Sequence, residues 1–162
     1  MNLTICSQHE ETDYISWNHR IIGDLDAAAG QHESAQVHYT EALKHARSIT
    51  CVDLLLDVLL AKGRWSARYR QDIPAALDDL HEAFDIAGKS NYRLYEADIR
   101  IALAHAYLAK AQAAHHSSKQ KNLALSHAWK HAERAQRMSV NMGYYWGTQD
   151  ADDVMENLDE IA

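Results

Sequence analysis

The sequence has little that bends, cross-links or anchors a chain: one proline, six glycines and two cysteines in 162 residues. Cys6 and Cys51 are too few for a disulfide framework or a four-cysteine zinc site. Each reads as a small buried apolar residue rather than a nucleophile. No apolar run approaches the ~18 residues of a membrane span; the densest, from Val52 to Leu60, is broken by Asp53 and Asp57. The start, Met1-Asn2-Leu3-Thr4, lacks the basic-then-apolar order of a secretory signal. A soluble chain in a reducing, cytoplasmic compartment is therefore expected. Basic residues are outnumbered, 16 against 23 acidic, and scattered; the net charge of -7 opposes nucleic acid as a partner. Gly23, Gly30 and Gly63 are isolated, so there is no phosphate-cradling loop.

What the sequence has is alanine, 26 of them, against five valines and five threonines. Alanine is the best helix former, whereas β-branched residues lose rotamer freedom in a helix. With no Asn-Gly or Asp-Gly hairpin signal either, the pattern predicts long helices joined by short turns. Seven are expected, over 12–29, 33–49, 52–70, 73–89, 92–115, 121–142 and 147–160. Ala35, Tyr39, Ala42, Leu43 and Ala46 keep helical spacing in the second, as do Ala76, Leu80, Ala83 and Ala87 in the fourth. Asp72 is placed to cap the fourth helix, with Pro74 in its first turn. The fifth carries apolar residues on two sides, so it is expected to be covered twice.

A ladder of small and large residues recurs. Gly30, Ala35, Tyr39 and Ala42 are matched by Gln71, Ala76, Leu80 and Ala83, then by Ala128, Ala132 and Ala135. Asn91-Tyr92 and Gly143-Tyr144 follow the last two copies at equal distance. Self-similarity on this scale is the mark of stacked helix pairs. The first copy, with Ile22-Gly23 ahead of Gly30, Ala35, Tyr39 and Ala42-Leu43, resembles the tetratricopeptide (TPR) repeat. In the second copy Gly63-Arg64 stands at the apolar-glycine pair and Gln71 replaces the turn glycine. The third keeps Leu103-Ala104 and Tyr107, with about twelve residues inserted around Gln112 to Asn122. The resemblance implies an all-α, right-handed superhelix of antiparallel helix pairs, about three repeats plus a C-terminal capping helix in 144–162, as one domain over 1–162. Residues 1–11 then read as the remnant of a preceding repeat, with Leu3, Ile5 and Ile15 as an unpartnered face. Such long-helix repeats resemble the C-terminal arrays of bacterial signalling ATPases and transcription regulators.

The resemblance further implies a non-catalytic protein-interaction module that holds a partner peptide or helix on the concave face lined by the first helices. Residues there not claimed by the ladder are Trp17, Arg20 and Asp24, then Lys62, Trp65, Arg68 and Tyr69, then Asp98 and His105. Aromatic and arginine side chains anchor partners because they join large contact area to directional polar groups. Arg64, Arg68 and Arg70 gather at the end of the third helix, where Arg93 and Arg100 are placed to face them. Asp24 stands where the family's carboxylate clamp has asparagine, so that clamp is not expected. Two further readings compete: self-association through the N-terminal face, and a small-ligand or metal sensor built on the eleven histidines. Neither His127 and His131, four apart, nor His115-His116 is joined by a ligand set of suitable spacing. No metal or cofactor is expected. Tyr144, Tyr145 and Trp146 are expected to fill the junction before the last helix.

Overall fold

In the computed structural model, residues 3–49, 51–114 and 117–161 are described, with side chains from residue 14 onward. His115, His116 and the side chains of Leu3, Ile5 and Cys6 thus lie outside the described residues. The described chain forms seven α-helices and no strand: α1 (Leu3–Ala28), α2 (His32–Ser48), α3 (Val52–Trp65), α4 (Ile73–Ser90), α5 (Arg93–Ala113), α6 (Ser118–Met142) and α7 (Tyr145–Asp159). One turn of π-helix, Ser66–Arg70, prolongs α3. The expected helices are all present. The backbone of α1 begins at Leu3 rather than near residue 12, so the first residues extend α1 instead of ending a separate helix.

Each helix packs on its successor, and α1, α3, α5 and α7 also touch in series, first helix to first helix. The α7 helix meets both α5 and α6. Apolar cores follow that order. Tyr39 and Trp65 share the first with Ala27 and Ala35, a central one runs from α2 to α5, and the last joins α5, α6 and α7.

The turns share a backbone conformation. Gly30 and Gln71 both have positive φ, 77° and 54°; so do Asn91 and Gly143, 56° and 66°. Helix C-termini need this left-handed residue, and glycine adopts it without steric cost. At Gln71 a side chain accepts the strained conformation. Asp72 caps α4 as expected, its Oδ1 accepting from the Ala75 amide at 3.2 Å, and Ser117 caps α6 by accepting from the Gln120 amide at 3.3 Å. The residues inserted in the third pair lengthen α6, which has 25 residues against 17 and 18 in α2 and α4.

Close approach fixes the pairing. A Cβ on Gly23 would sit 3.1 Å from the Tyr39 ring, and one on Gly63 would sit 2.7 Å from Leu80 Cγ. Tyr39 and Leu80 are matched rungs of the ladder, so the two glycines are matched notches. Gly23 precedes its turn residue by seven positions, but Gly63 precedes Gln71 by eight. The π-turn at Ser66–Arg70 absorbs the additional residue, since a π-turn is a one-residue insertion in a helix. Ile22, paired with Gly23 in the signature, instead faces outward at 40% exposure. In the third pair Ala104, Ala128, Ala132 and Ala135 are all sealed from solvent.

Gly63→Ala is expected to cost roughly 1–3 kcal/mol by overpacking against Leu80. In a Leu80→Ala background the same change should cost nothing, because alanine is the better helix former. Urea denaturation of the four proteins in that cycle measures the coupling.

Candidate functional site

Two clefts open along α1 and α3 and share Arg20 and Asp57. The first, about 280 Å³, is bordered by Asp24, Arg64, Trp65, Arg68 and Tyr69. The second, about 580 Å³, is bordered by Tyr14, Trp17, Asp53, Leu54 and Tyr95.

Between them lies a polar clamp. Arg20 meets Asp24 through Nη1 at 2.5 Å and Asp57 through Nε at 2.8 Å. The other Asp24 oxygen accepts from the Tyr39 hydroxyl at 2.6 Å. Burial, reinforced by that hydrogen bond, raises the Tyr39 pKa far above the ordinary phenol range. Burial also raises the Asp57 carboxyl, against the pull of the Arg20 guanidinium. The clamp joins α1, α2 and α3, so Arg20 and Asp24 are committed to one another and to the scaffold. They are not open anchors, as the sequence alone suggests.

The remaining candidates divide. Trp17 is 49% exposed and Tyr69 40% exposed, both at the clefts. Arg64 and Arg68 are exposed, and among the described residues neither has a carboxylate within ion-pair distance. The Arg68 guanidinium lies 5.3 Å from the centre of the Tyr69 ring, and Tyr69 stacks on His32 at the same distance. Trp65 is a correction: only 3% exposed, it packs against Tyr39 at 5.3 Å and forms a cleft wall. Lys62 is another, since it turns to α4 and ion-pairs with buried Asp79. Asp98 accepts from the Tyr144 hydroxyl at 3.0 Å, tying α5 to the turn before α7. His105 lies exposed on α5, within the electrostatic reach of Arg64, Arg68, Asp150 and Asp153. The expected arginine group also separates. Arg70 turns to Gln36 and the Trp65 ring, while Arg100 binds Glu96 at 2.7 Å and lies over Phe84.

Tyr144 does fill the junction before α7, pressed against Gly147, but Tyr145 and Trp146 stay exposed at 63% and 68%. Ile15 is half-buried, so it does not form an open face. Sequence reasoning missed Asp57, Tyr95 and Tyr14. All three are apparent only once α1, α3 and α5 lie side by side.

The histidines form aromatic clusters. His19 Nδ1 lies 2.9 Å from His38 Nδ1. His127 and His131 both stack on Tyr107, with ring centres at 4.9 and 5.8 Å. Among the described residues no group of three histidines, cysteines or carboxylates is placed to hold a metal ion, and no helix is long and apolar enough to cross a membrane. No family model, curated protein or solved structure significantly matches the chain.

Burial pushes the His131 pKa down to about 4, helped by the positive charges of Arg100, His81, His127 and Lys130. The folded state holds this imidazole neutral, while the unfolded chain protonates it near 6.5. Its contribution is therefore complete above that value and is lost as pH falls towards 4. The stability difference between wild type and His131→Phe should shift against wild type over that interval, read by urea denaturation at neutral and acid pH. An unchanged difference would contradict a buried neutral His131.

Proposed function

We propose that this chain is a non-catalytic interaction module of tetratricopeptide type, with three helix pairs winding as a right-handed superhelix and α7 closing the stack. Its first helices hold an extended or helical segment of a partner protein. The reading is supported by serial packing of α1, α3, α5 and α7, and by paired left-handed turns at repeat-equivalent positions.

One observation carries the binding site: the two joined clefts gather exposed aromatic rings with Arg64 and Arg68, which have no ion-pair partner among the described residues, on a helical floor. Arg64 and Arg68 offer bidentate hydrogen-bond donors, and Tyr69 supplies an amphipathic surface beside them. The Arg20–Asp24–Tyr39–Asp57 clamp holds the floor in one shape before binding, which lowers the ordering cost of association. The π-turn places Arg68 and Tyr69 at the cleft rim, and such turns recur at functional positions.

Selection from a random peptide display library tests this. The wild-type chain should enrich discrete sequences. The double variant Arg64→Glu and Arg68→Glu should bind them at least about tenfold more weakly, as expected when charge-assisted hydrogen bonds are reversed to repulsion. Its circular dichroism should be unchanged. Enriched peptides that bind the double variant equally well would move the site elsewhere, and no enrichment at all would count against a peptide-binding groove.

A further inference from the structure

The larger cleft has a chemical character of its own. Tyr14 and Trp17 of α1 and Tyr95 of α5 contribute three aromatic side chains, and Asp53 and Asp57 of α3 contribute two carboxylates. Tyr14 and Trp17 are 66% and 49% exposed, so their rings are open to a ligand. Within the cleft the carboxylates of Asp53 and Asp57 stand against the guanidinium of Arg20, and Arg64 reaches Asp57 electrostatically from the neighbouring cleft. Asp53 has no lysine, arginine or histidine within ion-pair distance among the described residues. Its Oδ1 accepts from the Cys51 thiol at 3.0 Å, which leaves the rest of the carboxylate to other partners. Burial, with the fields of Asp57 and Asp53, pushes the Tyr95 hydroxyl up to about 12, so that ring stays neutral beside them.

Aromatic faces next to carboxylates select cations, because the ring quadrupole and the negative charge attract the same group. From these residues we infer that the Tyr14–Trp17–Asp53–Tyr95 cleft receives a lysine or arginine side chain of the partner segment. The methylene stem lies on the Trp17 and Tyr14 rings, and the charged head reaches Asp53. Arg64 stands eleven residues beyond Asp53 on α3, roughly 16 Å along the helix. An extended segment spans that distance in about five residues. The groove therefore favours a segment whose basic residue sits at the start of α3 and whose acidic or polar residues reach Arg64 and Arg68. This inference rests on the reading of the groove as a peptide site, and it specifies what one end of that site recognises.

The test follows the Trp17 indole N–H signal in a ¹⁵N-labelled chain. The probes are Nα-acetyl-lysine methylamide and the same compound acetylated on Nζ. The charged probe should shift the Trp17 signal and saturate, with a dissociation constant on the order of millimolar for so small a ligand. The acetylated probe should leave the signal unmoved. Asp53→Asn should weaken the charged probe roughly three- to tenfold while preserving the thermal melt. Equal shifts from both probes, or none from either, would overturn the cation site. Display-selected peptides separate this inference from the broader one. Peptides lost in the Arg64/Arg68 double variant but indifferent to Asp53→Asn and Trp17→Leu would retain the groove and remove the cation site. Peptides indifferent to every one of these changes would remove both.

Discussion

Helices that lie as close as these do must give up side-chain volume at the crossing, and the structure makes that concession at repeated places. Gly23 accepts the Tyr39 ring and Gly63 accepts Leu80, each glycine on the first helix of a pair and each large residue on the second. A side chain at Gly63 would occupy space already filled by Leu80, and one at Gly23 would press the Tyr39 ring aside by a few tenths of an ångström. Ser16 shows the same intimacy in another form: fully buried on α1, it donates to the Ala42 carbonyl of α2 at 2.8 Å. Glycine in a helix interior weakens the isolated helix by about 1 kcal/mol. The chain tolerates that because the notch lets a large side chain bury completely, a gain of about 1.5–3 kcal/mol for leucine.

The groove inherits its shape from these crossings. With α1 and α2 held by the Gly23–Tyr39 contact, the Tyr39 hydroxyl falls where it donates to Asp24, and Asp24 in turn orients Arg20 towards Asp57 on α3. A packing contact thereby positions a polar network, and the network sets the floor between two clefts of different chemistry. One end offers arginines and Tyr69, the other carboxylates and open aromatic rings. The extra residue in the second pair has its own consequence: absorbed as a π-turn, it leaves Gly63 opposite Leu80 and carries Arg68 and Tyr69 to the rim.

The helices were legible because alanine content and apolar spacing report directly on helix faces, and Ala35, Tyr39, Ala42, Ala76, Leu80 and Ala83, which carry the ladder, are all buried. The left-handed conformation of Gln71 was implicit in its alignment with Gly30. The site was legible only in part. Spacing placed Trp17, Arg68 and Tyr69 on the correct helices, but it does not reveal which polar groups satisfy one another. Lys62 is taken up by Asp79, and Arg20 by Asp24 and Asp57; these pairings depend on neighbouring helices rather than on sequence distance. Trp65 looked like an anchor because its position is on a first helix, yet it packs inward on Tyr39. Asp57 and Tyr95 carry no local signal at all, since their roles arise from the packing of α1, α3 and α5.

The most direct measurement of the central claim is a set of nuclear Overhauser contacts across the two notches. The account predicts strong cross-peaks between the Gly23 α-protons and the Tyr39 ring, and between the Gly63 α-protons and the Leu80 methyl groups, both within the range of close van der Waals contact. Finding either glycine facing solvent, or facing a different second helix, would contradict the pairing on which the groove and its chemistry rest.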